Sequence, residues 1–348
     1  MTGVAGTLAG VLVLGGLFAC HPPGPTDSRS PATATQAGHR ATGARNQAET
    51  CPQPEPGERV KWRHGGSAAT ATLVGDSHHS ANDPIINPGQ DAVIKGKFAY
   101  GTISKDLQDE QISLWLRMAP CGPWRNVAQG LTDSDGRLDI PVRRDLVPSP
   151  GAYPFQLIVR GDLTRAHGTI YVLPRNTQVV IFDVDGTLTT GDDEVVMQIT
   201  FGSDPEVRPG ASAVVSRWVE AGYLPVYITG RPYPLRGSTA SWLYRYQFPP
   251  GPLITTDLFG QSVPGEGGVG QFKSAILGGL RDDAGLDIVA AYGNASTDVC
   301  AYSEAGIDPS QTFIVGSGTP RCQDHPPVEP MPSYIDHLET MAIEKAAR

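Results

Sequence analysis

The stretch Val179-Val180-Ile181-Phe182-Asp183-Val184-Asp185-Gly186-Thr187-Leu188-Thr189 decides the fold. Its unbroken run of β-branched and aromatic residues is the pattern of a strand buried on both faces. The run stops at two carboxylates two residues apart, followed by a glycine. Aspartates at the carboxyl end of such a strand fall in the crevice where open α/β sheets place their chemistry. Asp and Gly are also ordinary turn residues, so the segments on either side must separate a surface turn from a site.

Downstream, apolar strands alternate with amphipathic helices. Strand candidates are 179–182, 224–228, 252–255, 288–292 and 312–315. Among the intervening helices, 211–221 gathers Val214, Val215, Trp218 and Val219 on one face. That alternation predicts an α/β fold with a doubly wound parallel sheet over 176–323. Residues 324–333 are proline-rich, and 334–347 could form a terminal helix within a tail spanning 324–348.

Upstream, from 76 to 175, the texture is all-β. Ile112, Leu114, Leu116 and Met118 alternate with Ser113, Trp115 and Arg117, and Phe155, Leu157 and Val159 alternate with Gln156 and Arg160. Turn clusters such as Thr132-Asp133-Ser134-Asp135-Gly136 separate these runs. The spacing predicts an immunoglobulin-like β-sandwich in front of the α/β domain.

The amino terminus bears on location. Residues 4–19 are uncharged, apolar and short for a membrane span, and Leu17-Phe18-Ala19-Cys20 resembles a bacterial lipobox. Residues 1–20 are expected to be a signal peptide, with Cys20 the lipidated residue of an exported, membrane-anchored lipoprotein. Residues 21–75 begin with a Pro-, Ala-, Thr-, Gly- and Ser-rich segment that buries too little to order itself, and read as a disordered tether. Beyond Cys20, the cysteines at 51, 121, 300 and 322 allow three pairings. Cys51–Cys121 with Cys300–Cys322 keeps each bridge inside one domain, and the spacing matches no zinc site. A net charge of -9 without a Lys/Arg run argues against nucleic acid as a partner. The oligomeric state is not legible.

Four segments carry chemistry. They are Asp183-Val184-Asp185-Gly186-Thr187; Tyr227-Ile228-Thr229-Gly230-Arg231-Pro232; Lys273; and Gly293-Asn294-Ala295-Ser296-Thr297-Asp298. Singly, each has a plain reading as a strand end, a solvated helix lysine, or turn and cap residues. Together they suit phosphoryl transfer. A carboxylate attacks phosphorus and becomes an aspartyl-phosphate, and a second acid protonates the leaving oxygen. A hydroxyl and an ammonium hold the phosphoryl oxygens. Mg²⁺, a hard ion, bridges nucleophile and phosphate.

In this order the segments resemble the haloacid dehalogenase superfamily of phosphotransferases. More narrowly, they resemble the catalytic domain of the lipins, Mg²⁺-dependent phosphatidate phosphatases. They are still more similar to the carboxyl-terminal half of the membrane-associated phosphatidylinositol transfer proteins of the RdgB/Nir type. That similarity extends upstream to His79-Ser80-Ala81-Asn82-Asp83, Gly96-Lys97-Phe98-Ala99-Tyr100-Gly101 and Tyr153-Pro154 with Val159-Arg160-Gly161-Asp162, covering roughly residues 78 to 316. In the eukaryotic transfer proteins the nucleophile position is typically not aspartate, and the domain is thought to bind phosphatidic acid without cleaving it. Here both aspartates are present.

The lipin resemblance implies Asp183 as nucleophile, Asp185 as general acid/base, and Thr229, Gly230 and Lys273 at the phosphate. Mg²⁺ would be held by Asp183, the backbone carbonyl of Asp185, and Asn294 or Asp298. Arg231 could contact phosphate in bidentate fashion or cap local structure. Only 45 residues separate Asp183 from Thr229 and 43 separate Thr229 from Lys273, so an uncapped, open site is expected. Openness favours a phospholipid such as phosphatidic acid. A soluble phosphomonoester, or lipid binding without turnover, remains an alternative.

Overall fold

The computed structural model describes residues 51–101, 104–191, 204–256, 266–316, 320–322, 328 and 330–347. The expected signal peptide, Cys20 and the tether as far as residue 50 therefore lie outside the described residues.

Helix α1 (Gly65–Leu73) precedes ten strands: β1 (Ser80–Ala81), β2 (Ile85–Ile86), β3 (Ala92–Lys97), β4 (Ala99–Tyr100), β5 (Lys105–Asp106), β6 (Gln111–Arg117), β7 (Trp124–Leu131), β8 (Arg137–Val142), β9 (Gly151–Val159) and β10 (Arg165–Val172). One sheet runs β1-β3-β8 and the other β2-β10-β9-β6-β7. Alternate burial along β3 and β8 turns Ile94 and Ile140 inward and leaves Val93 and Pro141 outside. Ile94, Phe98, Leu114, Leu116 and Leu157 meet between the layers. The expected β-sandwich is therefore found.

Residues 51–75, expected to continue the tether, instead lie on the sandwich. Cys51 is bridged to Cys121, and Trp124 Nε1 donates to the Pro52 carbonyl at 2.7 Å. Arg160 donates to the carbonyls of Pro56 and Glu58, and the backbone N–H groups of Arg63 and His64 donate to Glu110. These partners are tens of residues away in sequence, so local composition did not betray them.

The second domain comprises β11 (Gln178–Asp183), α2 (Ala211–Glu220), β12 (Leu224–Pro232), α3 (Arg236–Arg245), β13 (Leu253–Thr256), α4 (Glu266–Gly278), β14 (Asp287–Gly293), α5 (Ser296–Glu304), β15 (Thr312–Val315), β16 (Pro330–Met331) and α6 (Tyr334–Thr340). Its six-stranded sheet has the order β13-β12-β11-β14-β15-β16, every pairing parallel. This is the expected doubly wound α/β sheet, with a haloacid dehalogenase-like arrangement. Along β11, Val180 and Phe182 enter one core while Val179 and Ile181 enter the other. A strand covered on both faces has no polar side, which is why its sequence is a continuous apolar run. Phe182 stacks on Tyr292 at 4.8 Å. Burying one such aromatic side chain stabilises the fold by roughly 2 kcal/mol.

The tail is not separate from this domain. β16 adds the sixth strand, and α6 ends at Thr340 rather than running to 347. Proline is tolerated at Pro330 because β16 is an edge strand with one unpaired side. Cys300 and Cys322 are bridged, so both bridges follow the within-domain pairing. The stretches bearing on an uncapped site include 192–203 and 257–265, which are outside the described residues.

Candidate active site

β11 lies between β12 and β14, with Asp183 opposite Ile228 and Phe182 opposite Tyr292. β12 and β13 extend the sheet on one side of β11 and β14, β15 and β16 on the other, so the carboxyl end of β11 is the topological switch point of the sheet. Asp183 ends β11, Asn294 directly follows β14, and Thr229 is the β12 residue just past Ile228, so the three lie side by side at this edge. Gly186 turns the chain back with φ +67°, a conformation glycine adopts without steric cost. The Thr189 hydroxyl accepts the Gly186 N–H at 2.9 Å, and Arg208 Nε donates to the Gly186 carbonyl at 2.9 Å.

Lys273, on α4, is buried between two carboxylates. Its Nζ is 2.7 Å from Asp183 Oδ1 and 2.5 Å from Asp298 Oδ1. Burial opposes the ammonium charge, but the charges of Asp183 and Asp298 outweigh it and raise the lysine pKa. Burial pushes the Asp183 carboxyl up to about 7 against the pull of Lys273, and the negative charges of Asp298 and Asp185 add to the rise. The Thr187 hydroxyl bridges Asp183 Oδ2 at 2.8 Å and Asn294 Oδ1 at 3.2 Å.

Asp298 acts on its own loop as well as on Lys273. Its Oδ2 accepts the N–H groups of Asn294 and Ala295 at 2.9 and 3.0 Å, capping the start of α5. Glycine is required beside it: a Cβ on Gly293 would lie 2.5 Å from the Asp298 Cβ.

Asp185 faces the next strand. Thr229 Oγ1 donates to its Oδ2 at 2.6 Å, and Arg231 Nε donates to its Oδ1 at 2.8 Å. Arg231 NH2 is also 2.8 Å from that oxygen. Arg231 is fully buried, so its guanidinium supports Asp185 from within the protein rather than presenting a fork to solvent. That is the local-structure alternative left open for Arg231. Gly230 sits between these two residues in β12.

All the candidate residues among those described are therefore brought to one end of the sheet. Thr187 and Arg208 were not singled out from sequence. A threonine two residues past Asp185 is the one signal that could have raised Thr187. The site sets three carboxylates, Asp183, Asp185 and Asp298, against Lys273 and Arg231. An all-oxygen donor set with one excess negative charge suits a hard divalent cation. Among the described residues, no three His, Cys, Asp or Glu side chains gather as a metal cluster. An ion here would draw on Asp183, the Asn294 amide oxygen, a backbone carbonyl and water.

Residues 180–316 match the family described as PITM 1-3, LNS2 domain, and residues 77–172 match PITM 1-3, beta-sandwich domain. The folded part of this chain is a PITM-type β-sandwich followed by an LNS2 domain. LNS2 domains are haloacid dehalogenase-like, in agreement with the sheet order and the Asp183 site. Human membrane-associated phosphatidylinositol transfer protein 1 is 34% identical over 267 residues, covering 76% of this chain and 20% of the relative. Retinal degeneration B of Drosophila melanogaster is 33% identical over 286 residues, covering 81% of this chain and 22% of the relative. The chain thus spans about a fifth of the length of these curated relatives. Among solved structures, a chain of the Pnkp1/Rnl/Hen1 complex aligns at TM-score 0.33 and 17% identity over 44% of this chain and 54% of that one, too distant to bear on function. Among the described residues, no helix is long and apolar enough to cross a membrane.

Proposed function

We propose that this chain is a phosphomonoester hydrolase acting through an aspartyl-phosphate on Asp183, with phosphatidic acid or a related phospholipid as substrate. The observation that carries this reading is the Asp183 carboxylate at the switch point of the sheet, 2.7 Å from a buried lysine and two residues before a second, separately held acid.

In the first step an Asp183 carboxylate oxygen attacks phosphorus, and the bond from phosphorus to the alcohol oxygen breaks. Asp185 gives its proton to that departing oxygen. In the second step Asp185 takes a proton from water as the water oxygen attacks the aspartyl-phosphate, releasing phosphate and regenerating Asp183. Lys273 and Thr229 lie beside the two acids, where an ammonium and a hydroxyl can stabilise charge on the phosphoryl oxygens. Mg²⁺ held by Asp183, the Asp185 carbonyl and Asn294 would offset the repulsion between carboxylate and phosphate. Asp298, its carboxylate engaged by Lys273 and two backbone N–H groups, serves better as the residue that orients this loop.

A phospholipid substrate is supported by the relatives named membrane-associated phosphatidylinositol transfer proteins and by the short connections expected to leave the site open. Export and lipidation at Cys20 are part of the proposal, supported by two disulfides of the kind oxidising compartments sustain. Mass spectrometry of the mature amino terminus tests the lipidation. A second reading, phospholipid binding without turnover, is favoured by the name "transfer protein" on those relatives.

The deciding experiment measures phosphate release from phosphatidic acid vesicles and from p-nitrophenyl phosphate, with Mg²⁺ or EDTA. Release that needs Mg²⁺ and disappears in Asp183→Asn, with the fold intact, supports the enzyme. No release from either substrate, with flotation on phosphatidic acid vesicles, supports the binding reading. Release from p-nitrophenyl phosphate alone points to a soluble substrate.

A further inference from the structure

Asp83 belongs to the β-sandwich, yet its carboxylate is built into the second domain. Its Oδ1 accepts the Thr169 N–H at 2.8 Å, fixing it to β10. Its Oδ2 lies 2.6 Å from Arg236 NH2 and accepts the Leu253 N–H at 2.9 Å. Both charged side chains are buried, at 7% and 8% exposure. A buried ion pair between domains must be well matched to offset its desolvation, and here the carboxylate gains two backbone N–H groups as well.

The two elements that Asp83 grips both lead to Arg231. Arg236 opens α3, and three residues later on the same face Thr239 Oγ1 accepts from Arg231 NH1 at 3.2 Å. Leu253 opens β13, and at the other end of that strand Thr256 Oγ1 donates to the Arg231 carbonyl at 3.3 Å. The sandwich also holds the residues between. Ser104 Oγ hydrogen-bonds the Tyr233 hydroxyl, and Lys97 Nζ sits 5.6 Å from the Tyr233 ring centroid. Arg231 in turn orients Asp185.

We infer that Asp83 is a positioning residue for the Arg231–Asp185 pair, and that the β-sandwich is a working part of the site rather than an appended module. Its chemical consequence rests on the phosphatase reading. The mechanical claim, that Asp83 fixes residues 229–239, stands apart from it.

Asn87 supplies the control. It also crosses between the domains, donating through Nδ2 to the carbonyls of Leu173 at 3.0 Å and Ala284 at 2.8 Å. Among the described residues, none of its hydrogen-bond partners lies in α3 or β13. The full chain is compared with Asp83→Asn and Asn87→Ala by amide hydrogen exchange and by phosphate release. Asp83→Asn is expected to speed exchange over 229–239 and at Leu253 by at least about tenfold while β14 and β6 stay protected. It should lower kcat by about tenfold or more with KM changed less than about twofold, because a displaced acid costs the transition state. Asn87→Ala should change neither readout in that region.

Asp83→Asn leaves Arg236 buried without its counter-charge, so Asp83→Asn/Arg236→Gln is measured beside it. Removing both partners relieves that penalty but leaves α3 unanchored, so kcat stays low. Wild-type kcat in the stable double variant, or wild-type exchange over 229–239 in Asp83→Asn, overturns the inference. If the wild type releases no phosphate from any substrate, the phosphatase reading fails, and exchange over 229–239 alone decides the role of Asp83.

Discussion

Arg231 reaches Asp185 through two nitrogens, Nε and NH2, each 2.8 Å from the same carboxylate oxygen. A planar fork on a rigid stem can hold an acid in one place, whereas an ammonium on four methylenes holds it as a point charge. Arg231→Lys keeps the charge and loses the fork. It is expected to lower kcat by roughly tenfold to a hundredfold with little change in KM. A KM that rises with kcat unchanged would make Arg231 a substrate contact instead.

Lys273 places one buried ammonium between the buried carboxylates of Asp183 and Asp298. Removing it strands two buried carboxylates. Lys273→Ala should abolish phosphate release and cost about 3 kcal/mol or more of stability, read as a lower denaturant midpoint. A loss below about 1 kcal/mol would mean the carboxylates are compensated elsewhere.

His79 carries a stability dependence on pH that is independent of the site. It is buried against Phe98 and Tyr100 and hydrogen-bonds Thr164 through Nε2. Burial lowers its pKa from 6.5 to about 4. The unfolded chain therefore binds a proton that the folded chain refuses between these values, and stability must fall as pH drops through that window. The stability it contributes is present above pH 6.5 and lost towards pH 4, on the order of 3 kcal/mol in all. Urea unfolding at a series of pH values should show this slope in the wild type and a flatter one in His79→Gln. Equal slopes would remove His79 as the cause.

The Cys300–Cys322 bridge fastens α5, the helix that Asp298 caps, to the segment leading to β16. Closing a loop of 22 residues restricts the unfolded chain and is worth about 3 kcal/mol. Cys300→Ser/Cys322→Ser should lower the melting temperature, and Asn294 should exchange its amide faster. An unchanged melting temperature would leave the bridge without a stabilising role.

Much of this could be read from the sequence because the informative features are local. The apolar run into Asp183 is a strand covered on both faces. Thr229 lies next to Ile228, the β12 residue opposite Asp183, and Asn294 and Asp298 follow β14 at short distances, so order alone gathers them at one edge. Lys273 was legible only through its place in that order, since nothing local distinguishes it from a solvated helix lysine. What escaped is set by contacts far apart along the chain. Asp83 meets the Leu253 N–H across 170 residues, and no periodicity records that encounter. The packing of residues 51–64 was hidden for the same reason. Helix α1, Gly-Gly-Ser-Ala-Ala-Thr-Ala-Thr-Leu, has almost no amphipathic face to announce it. Pro330 disguised β16, because a proline-rich segment reads as tail unless its edge position is known.

The central claim is that Asp183 is the nucleophile. The most direct measurement is mass spectrometry of the acid-quenched protein during turnover of phosphatidic acid vesicles or p-nitrophenyl phosphate with Mg²⁺. The account predicts one phosphoryl group on the peptide bearing Asp183, removed by hydroxylamine and absent from Asp183→Asn. Phosphate release without that adduct, undiminished in Asp183→Asn, would contradict it.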